Sequence, residues 1–161
     1  MATKAEFLQV RLSRAEKRAL AKAAEGAAMT VSAYVLARCL PTADDRFARA
    51  CAHLRASTEP TFALAGVHDV LASLAAEALT TLPAPALAAA SFEAAYVASM
   101  VEQAAARATV RAPRWCCRVP PLERPWFAST LESLRAHLLT ASPPAFRARN
   151  LFVDATVGDR V

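Results

Sequence analysis

Residues 7–40 are FLQVRLSRAEKRALAKAAEGAAMTVSAYVLARCL, and the fold turns on how this stretch is read. Phe7 to Leu12 alternates: Leu8, Val10 and Leu12 share one face, and Phe7, Gln9 and Arg11 share the other. Strict alternation marks a half-buried strand, because successive side chains leave a strand on opposite sides. Ser13 then opens Ser-Arg-Ala-Glu, with Glu16 at the position of a capping box that starts a helix. The spacing predicts a helix from about Arg14 to Ala27. Its apolar stripe is Ala19, Leu20, Ala23, Ala24 and Ala27, and its charged side is Arg14, Lys17, Arg18 and Lys22. Thr30 is a second cap, ahead of a helix that starts at Val31 and ends before Pro41. Val31, Tyr34, Val35 and Arg38 fall on one face of it. A lone strand poses a problem, since its backbone groups need partners and even a two-stranded hairpin is marginal in water. Its partner is either a second copy of the chain or the later segment Asn150–Thr156, NLFVDAT; the remaining possibility is that residues 7–12 are helical.

The composition sets the class. Alanine dominates the 161 residues and there are only 3 glycines, which predicts a mainly α protein, alanine being the best helix former. Every apolar stretch is too short or too broken by charge and proline to cross a membrane. The N-terminus carries Lys4 and Glu6 and does not read as a signal peptide, so a cytoplasmic, nucleoid-associated protein with reduced thiols is expected. Cys39, Cys51, Cys116 and Cys117 form no CxxC pair and no histidine stands at finger spacing; no metal or cofactor is expected, and the cysteines are read as small apolar residues.

The net charge of +5 is unevenly spread. Residues 1–55 hold ten Lys/Arg against five Asp/Glu, residues 56–106 hold five acids and no Lys or Arg, and residues 107–161 hold nine Arg against four acids. A basic first third suggests a polyanionic partner.

After Pro41 the sequence predicts helices in TADDRFARACAHLRAS, FALAGVHDVLASLAAEAL, SFEAAYVASMVEQAAARA with Ser91 as N-cap, and STLESLRAHLL opened by Ser129 or Thr130. RAPRWCCRVPPLERPWF is too rich in proline for a continuous helix. The expected division is 1–41, a helical domain over 42–110, and an Arg/aromatic-rich tail over 111–161. No glycine-rich phosphate loop, HExxH or GxSxG is present and the histidines stand apart, so no enzyme is expected.

Strand, capped helix, turn and capped helix with a basic face make Leu8–Leu40 resemble the ribbon-helix-helix family of DNA-binding proteins, which includes repressors, antitoxins and plasmid-mobilisation proteins. The pieces that carry the resemblance are LQVRLS, RAEKRALAKAAEGA and MTVSAYVLARCL, about a quarter of the chain. The family often has glycine at the turn where this chain has Ala28, with Gly26 two residues earlier, so a differently shaped turn is expected. The resemblance implies a homodimer whose two strands pair antiparallel and enter the major groove of double-stranded DNA. It implies base contacts from Phe7, Gln9 and Arg11. Phosphate contacts would come from Lys4, Arg14, Lys17 and the start of the second helix at Thr30, Val31 and Ser32.

The tail is similar, in ERPWFAS, SLR, SPPAFR and RNLFVDA, to C-terminal segments of bacterial proteins that carry other DNA-binding heads. Trp, Phe and Arg are the types enriched at interface centres. Trp115, Arg118, Arg124, Trp126, Phe127, Arg147, Arg149 and Phe152 are therefore the expected partner-binding residues, unless these aromatics complete a helical core. The function expected is a dimeric, sequence-specific DNA-binding regulator or antitoxin with a protein partner such as a toxin. The alternatives are a relaxosome accessory protein that binds a plasmid transfer origin beside a relaxase, and a helical adaptor without DNA binding.

Overall fold

A computed structural model describes residues 9–156; Phe7, Leu8 and Lys4 lie outside them. Among the described residues the chain is mainly helical, with a small two-stranded parallel sheet. It divides into two units, Met1–Pro41 and Thr42–Val161.

In the first unit, α1 (Arg14–Gly26) is opened by the capping box: Glu16 N–H donates to Ser13 Oγ at 3.3 Å and Ser13 N–H donates to Glu16 Oε2 at 2.8 Å. α2 (Val31–Cys39) is opened by Thr30, whose Oγ1 accepts from Ala33 N–H at 3.2 Å. Between them the chain closes a Schellman turn: Met29 N–H donates to Ala24 O at 3.0 Å and Ala28 N–H to Glu25 O at 2.9 Å. Ala28 carries the left-handed residue of that turn, φ 53°. The left-handed position of the turn is thus filled by an alanine. A Cβ in that conformation costs about 1–2 kcal/mol. Ala28→Gly is expected to stabilise the first unit by about 1 kcal/mol, net of glycine's extra freedom when unfolded, read from its urea midpoint. Gly66 is the converse case. It sits mid-helix, and an added Cβ would meet nothing within 4 Å; Gly66→Ala is expected to stabilise by about 0.5–1 kcal/mol.

Gln9 to Leu12, the described part of the expected strand, is not in a strand within a single chain. The later segment considered as its partner is engaged elsewhere: β2 (Leu151–Phe152) pairs parallel with β1 (Trp126–Phe127).

The second unit surrounds α6 (Phe92–Arg107), which Ser91 caps by accepting from Ala94 N–H at 3.1 Å. Ala94 to Val101 are all buried, as a helix apolar on every side must be. α3 (Ala43–Ala56) brings Phe47, Cys51 and Leu54, one face by helical spacing, and α4 (Pro60–Ser73) brings Ala63, Leu64, Val67 and Leu71. The single helix expected over residues 62–79 is two: α4 ends at Ser73 and α5 (Ala76–Thr81) follows. Ser73 Oγ donates to Val70 O at 2.7 Å, a side chain that competes with the helical ladder, and Leu74 and Ala75 are extended. The bend lets Leu71, Leu79 and Leu82 enter the same core. α7 (Glu132–Ala141) starts later than expected and without a side-chain cap, because Ser129 Oγ is occupied with Leu131 N–H in a local turn.

Trp115, Cys116, Phe146, Leu151 and Val153 belong to the same hydrophobic cluster as Phe47, Val67 and Val97. The expected boundary at residue 110 therefore runs through a shared core, and residues 111–156 are structural parts of one unit. α8 (Pro144–Arg147) lies against α6, where Ser99 Oγ bridges Ala95 O at 2.8 Å and Ala145 O at 3.1 Å. Cys51 and Cys116 fit the expectation of small apolar residues, with burial pushing each thiol up to about 12. Cys39 and Cys117 do not, since both are exposed.

Candidate nucleic-acid interface

The residues expected to meet DNA are accessible wherever they are described. Gln9 and Arg11 are exposed, as are Arg14, Lys17, Thr30, Val31 and Ser32. Arg14, Lys17 and Arg18, with Ala21, line one shallow concavity of about 300 Å³ on α1. The i, i+3, i+4 spacing puts three like charges together, which costs stability unless anions approach. The ion pairs seen among the described residues lie in the second unit and neutralise none of these three. Glu16 cannot serve them fully, because its carboxylate is held by the Ser13 N–H and hydroxyl. Those bonds place its pKa below the usual carboxylate value. Arg18 was not among the expected contacts; its spacing from Arg14 was the available signal.

At the start of α2, Thr30 spends its hydroxyl on the cap, while the N–H groups of Val31 and Ser32 precede the first helical hydrogen bond, which Tyr34 N–H makes to Thr30 O at 2.9 Å. Arg38 lies over the Tyr34 ring, 5.5 Å from its centre. The apolar side of this unit is incompletely covered. Ala24 is buried and Leu20 half-buried, but Val10 is 64% exposed, Leu12 47%, Val31 43% and Leu40 60%.

The expected partner-binding residues separate into two groups. Trp115 and Arg149 are buried; the Trp115 Nε1 and both Arg149 Nη atoms are committed inside the unit, while Arg149 Nε is buried without a hydrogen-bond partner among the described residues. Trp115 Nε1 donates to Leu82 O at 2.9 Å. Arg149 forks onto Glu102 at 2.7 and 2.8 Å and reaches Cys116 O at 2.7 Å and Ala145 O at 3.1 Å. Neither is available to a partner, because a buried guanidinium must be paired where it stands. Phe127 and Phe152 stack on each other, centroids 4.8 Å apart, with Arg135 over Phe127 at 5.4 Å; they are half-buried. Arg118, Arg124, Arg147 and Trp126 remain exposed. Trp126 packs on Phe92 at 4.9 Å and, with Arg124, Pro121 and Pro125, borders an open groove.

Among the described residues no group of three or more His, Cys, Asp or Glu is placed to hold a metal ion, and no helix is long and apolar enough to cross a membrane. Comparison of the chain with protein-family models, curated proteins and solved structures finds no match.

Proposed function

We propose that the chain is a homodimeric, sequence-specific DNA-binding protein of the regulator or antitoxin type, with residues 1–41 as a ribbon-helix-helix head. The observation that carries this reading is the coincidence, in one small unit, of unneutralised cations on α1 with uncovered apolar residues at Val10, Leu12, Val31 and Leu40. A second copy covers the apolar residues and supplies the strand that residues 7–12 need. The two-stranded ribbon then presents Phe7, Gln9 and Arg11 to base edges. Arg is suited to guanine and Gln to adenine. The cations of α1 and the first N–H groups of α2 meet phosphates and set the register. A protein partner, such as a toxin, would dock on the second unit, and of the residues expected there Arg118, Arg124, Trp126 and Arg147 are exposed.

The test is selection of duplexes from a random pool by the full-length protein, followed by affinity measurements on the selected site and on random DNA. Arg11→Ala is expected to cost about 1–3 kcal/mol on the selected site and much less on random DNA. Lys17→Ala is expected to weaken both alike and to lower the salt slope by about 1. Equal losses for Arg11→Ala on both kinds of DNA would move base readout away from this segment.

A further inference from the structure

Two concavities of the second unit adjoin. The smaller, about 180 Å³, is lined by Pro85 and Leu87 and by Trp115, Arg118 and Val119. The larger, about 610 Å³, is lined by Ala90 and Phe92 and by residues 121–126. Ala89 borders the first and Ala90 the second, and Val119 and Pro121 divide in the same way. The two therefore make one elongated groove between residues 84–94 and 115–126. Its walls are pinned. Trp115 Nε1 donates to Leu82 O at 2.9 Å, Leu122 N–H to Arg149 O at 3.2 Å, Asn150 Nδ2 to Leu122 O at 2.7 Å and Trp126 N–H to Asn150 O at 2.8 Å. A groove already ordered loses less conformational entropy when it is filled.

The wall's backbone selects the conformation of its occupant. Pro120, Pro121 and Pro125 have no N–H, and the N–H of Leu122 is spent on Arg149, so an incoming strand finds no continuous ladder there. A polyproline II segment needs no ladder, since its backbone stays solvated, and its prolines dock on aromatic faces. Trp126 offers such a face: it is 37% exposed, with its ring held by Phe92 at 4.9 Å and by Tyr96, edge-on, at 6.1 Å.

The charges select the occupant's composition. The ionisable lining residues are Arg118, Glu123 and Arg124. Both arginines are exposed and belong to none of the ion pairs seen among the described residues. Glu123 offsets its neighbour Arg124, so the net positive charge of the lining falls at Arg118, which suits an acidic occupant.

We propose that this groove takes a polyproline II segment of a partner protein that carries acidic residues beside its prolines, the prolines on Trp126 and an acid on Arg118. This names the class of partner and rests on the reading that a protein docks on the second unit.

The experiment titrates the full chain into a fluorophore-labelled synthetic oligoproline flanked at both ends by aspartates and follows anisotropy. One control replaces the aspartates by lysines, and another replaces the prolines by alternating glycine and serine. The aspartate-flanked oligoproline is expected to bind saturably at sub-millimolar concentration, and each control about tenfold more weakly or worse. Trp126→Ala is expected to weaken binding about tenfold or more, the scale of a buried aromatic anchor. Arg118→Glu, a change at an exposed residue, is expected to reverse the preference between aspartate and lysine flanks, an effect that a loss of folding would not produce. The proposal is overturned if the aspartate-flanked oligoproline does not bind saturably, if the glycine–serine control binds equally well, or if Arg118→Glu leaves the preference unreversed. A host protein that co-purifies with the full chain and is held equally by both variants would leave the docking reading standing and overturn its assignment to this groove.

Discussion

Arg149→Ala is expected to destabilise the second unit by about 3–5 kcal/mol, which for a unit of this size lowers its melting temperature by about 10–20 °C. Arg149 joins three parts of the fold: Glu102 on α6, the carbonyl of Cys116 in the 3-10 turn Cys116–Arg118, and the carbonyl of Ala145 on α8. The side chains of Arg149 and Glu102 are 6% and 23% exposed, so solvent screens the pair little. Removing the arginine leaves a carboxylate in a largely apolar site, and that stranded charge, more than the lost attraction, sets the size of the effect. The double replacement Arg149→Met with Glu102→Leu is accordingly expected to recover much of the loss, since a buried ion pair exchanged for apolar volume is often neutral. Thermal and urea unfolding of the three chains checks this. A loss of about 1 kcal/mol or less for Arg149→Ala, the range of exposed pairs, would return Arg149 to the surface and to the set of partner-binding residues.

Val10→Pro is expected to abolish dimerisation and DNA binding together while leaving the second unit's melting temperature unchanged. Proline removes a ladder donor, and a strand that pairs only across a two-fold axis has no other source of order. Val10 is 64% exposed in the single chain, so the fold of that chain does not rest on it. Sedimentation and a duplex-binding titration on the same preparation measure both properties. Loss of one without the other would separate dimerisation from DNA contact and argue against a shared ribbon.

The first unit was legible in local signals. Ser13 with Glu16, and Thr30, gave both helix starts to the residue, because a side-chain cap is a contact between neighbours in sequence. The left-handed turn at Ala28 forms without glycine and is closed by the hydrogen bonds of Met29 and Ala28 back to α1. The second unit was legible as helices and poorly legible as an assembly. Nothing in TTLPAPA or WCCRVPP announces that Trp115 will reach back to the carbonyl of Leu82, or that Trp126–Phe127 will pair with Leu151–Phe152. Those contacts span long stretches of chain and are decided by packing around α6. One signal was present and unused. Glu102 stands at the end of AAYVASMV, a run too apolar to face water, and an acid there needs a cationic partner. Arg149 is that partner, a structural role that its place among the expected partner-binding residues overlooked. Trp126 and Arg124, two of the expected partner-binding residues, are exposed.

The central claim is that two copies of the first unit form one DNA-binding surface. Sedimentation equilibrium of the full chain, alone and with a selected palindromic duplex, tests it most directly. The account predicts a dimer at micromolar concentration and a complex of two chains per duplex that dissociates as salt rises. A folded monomer that leaves the duplex unbound at low salt would contradict it.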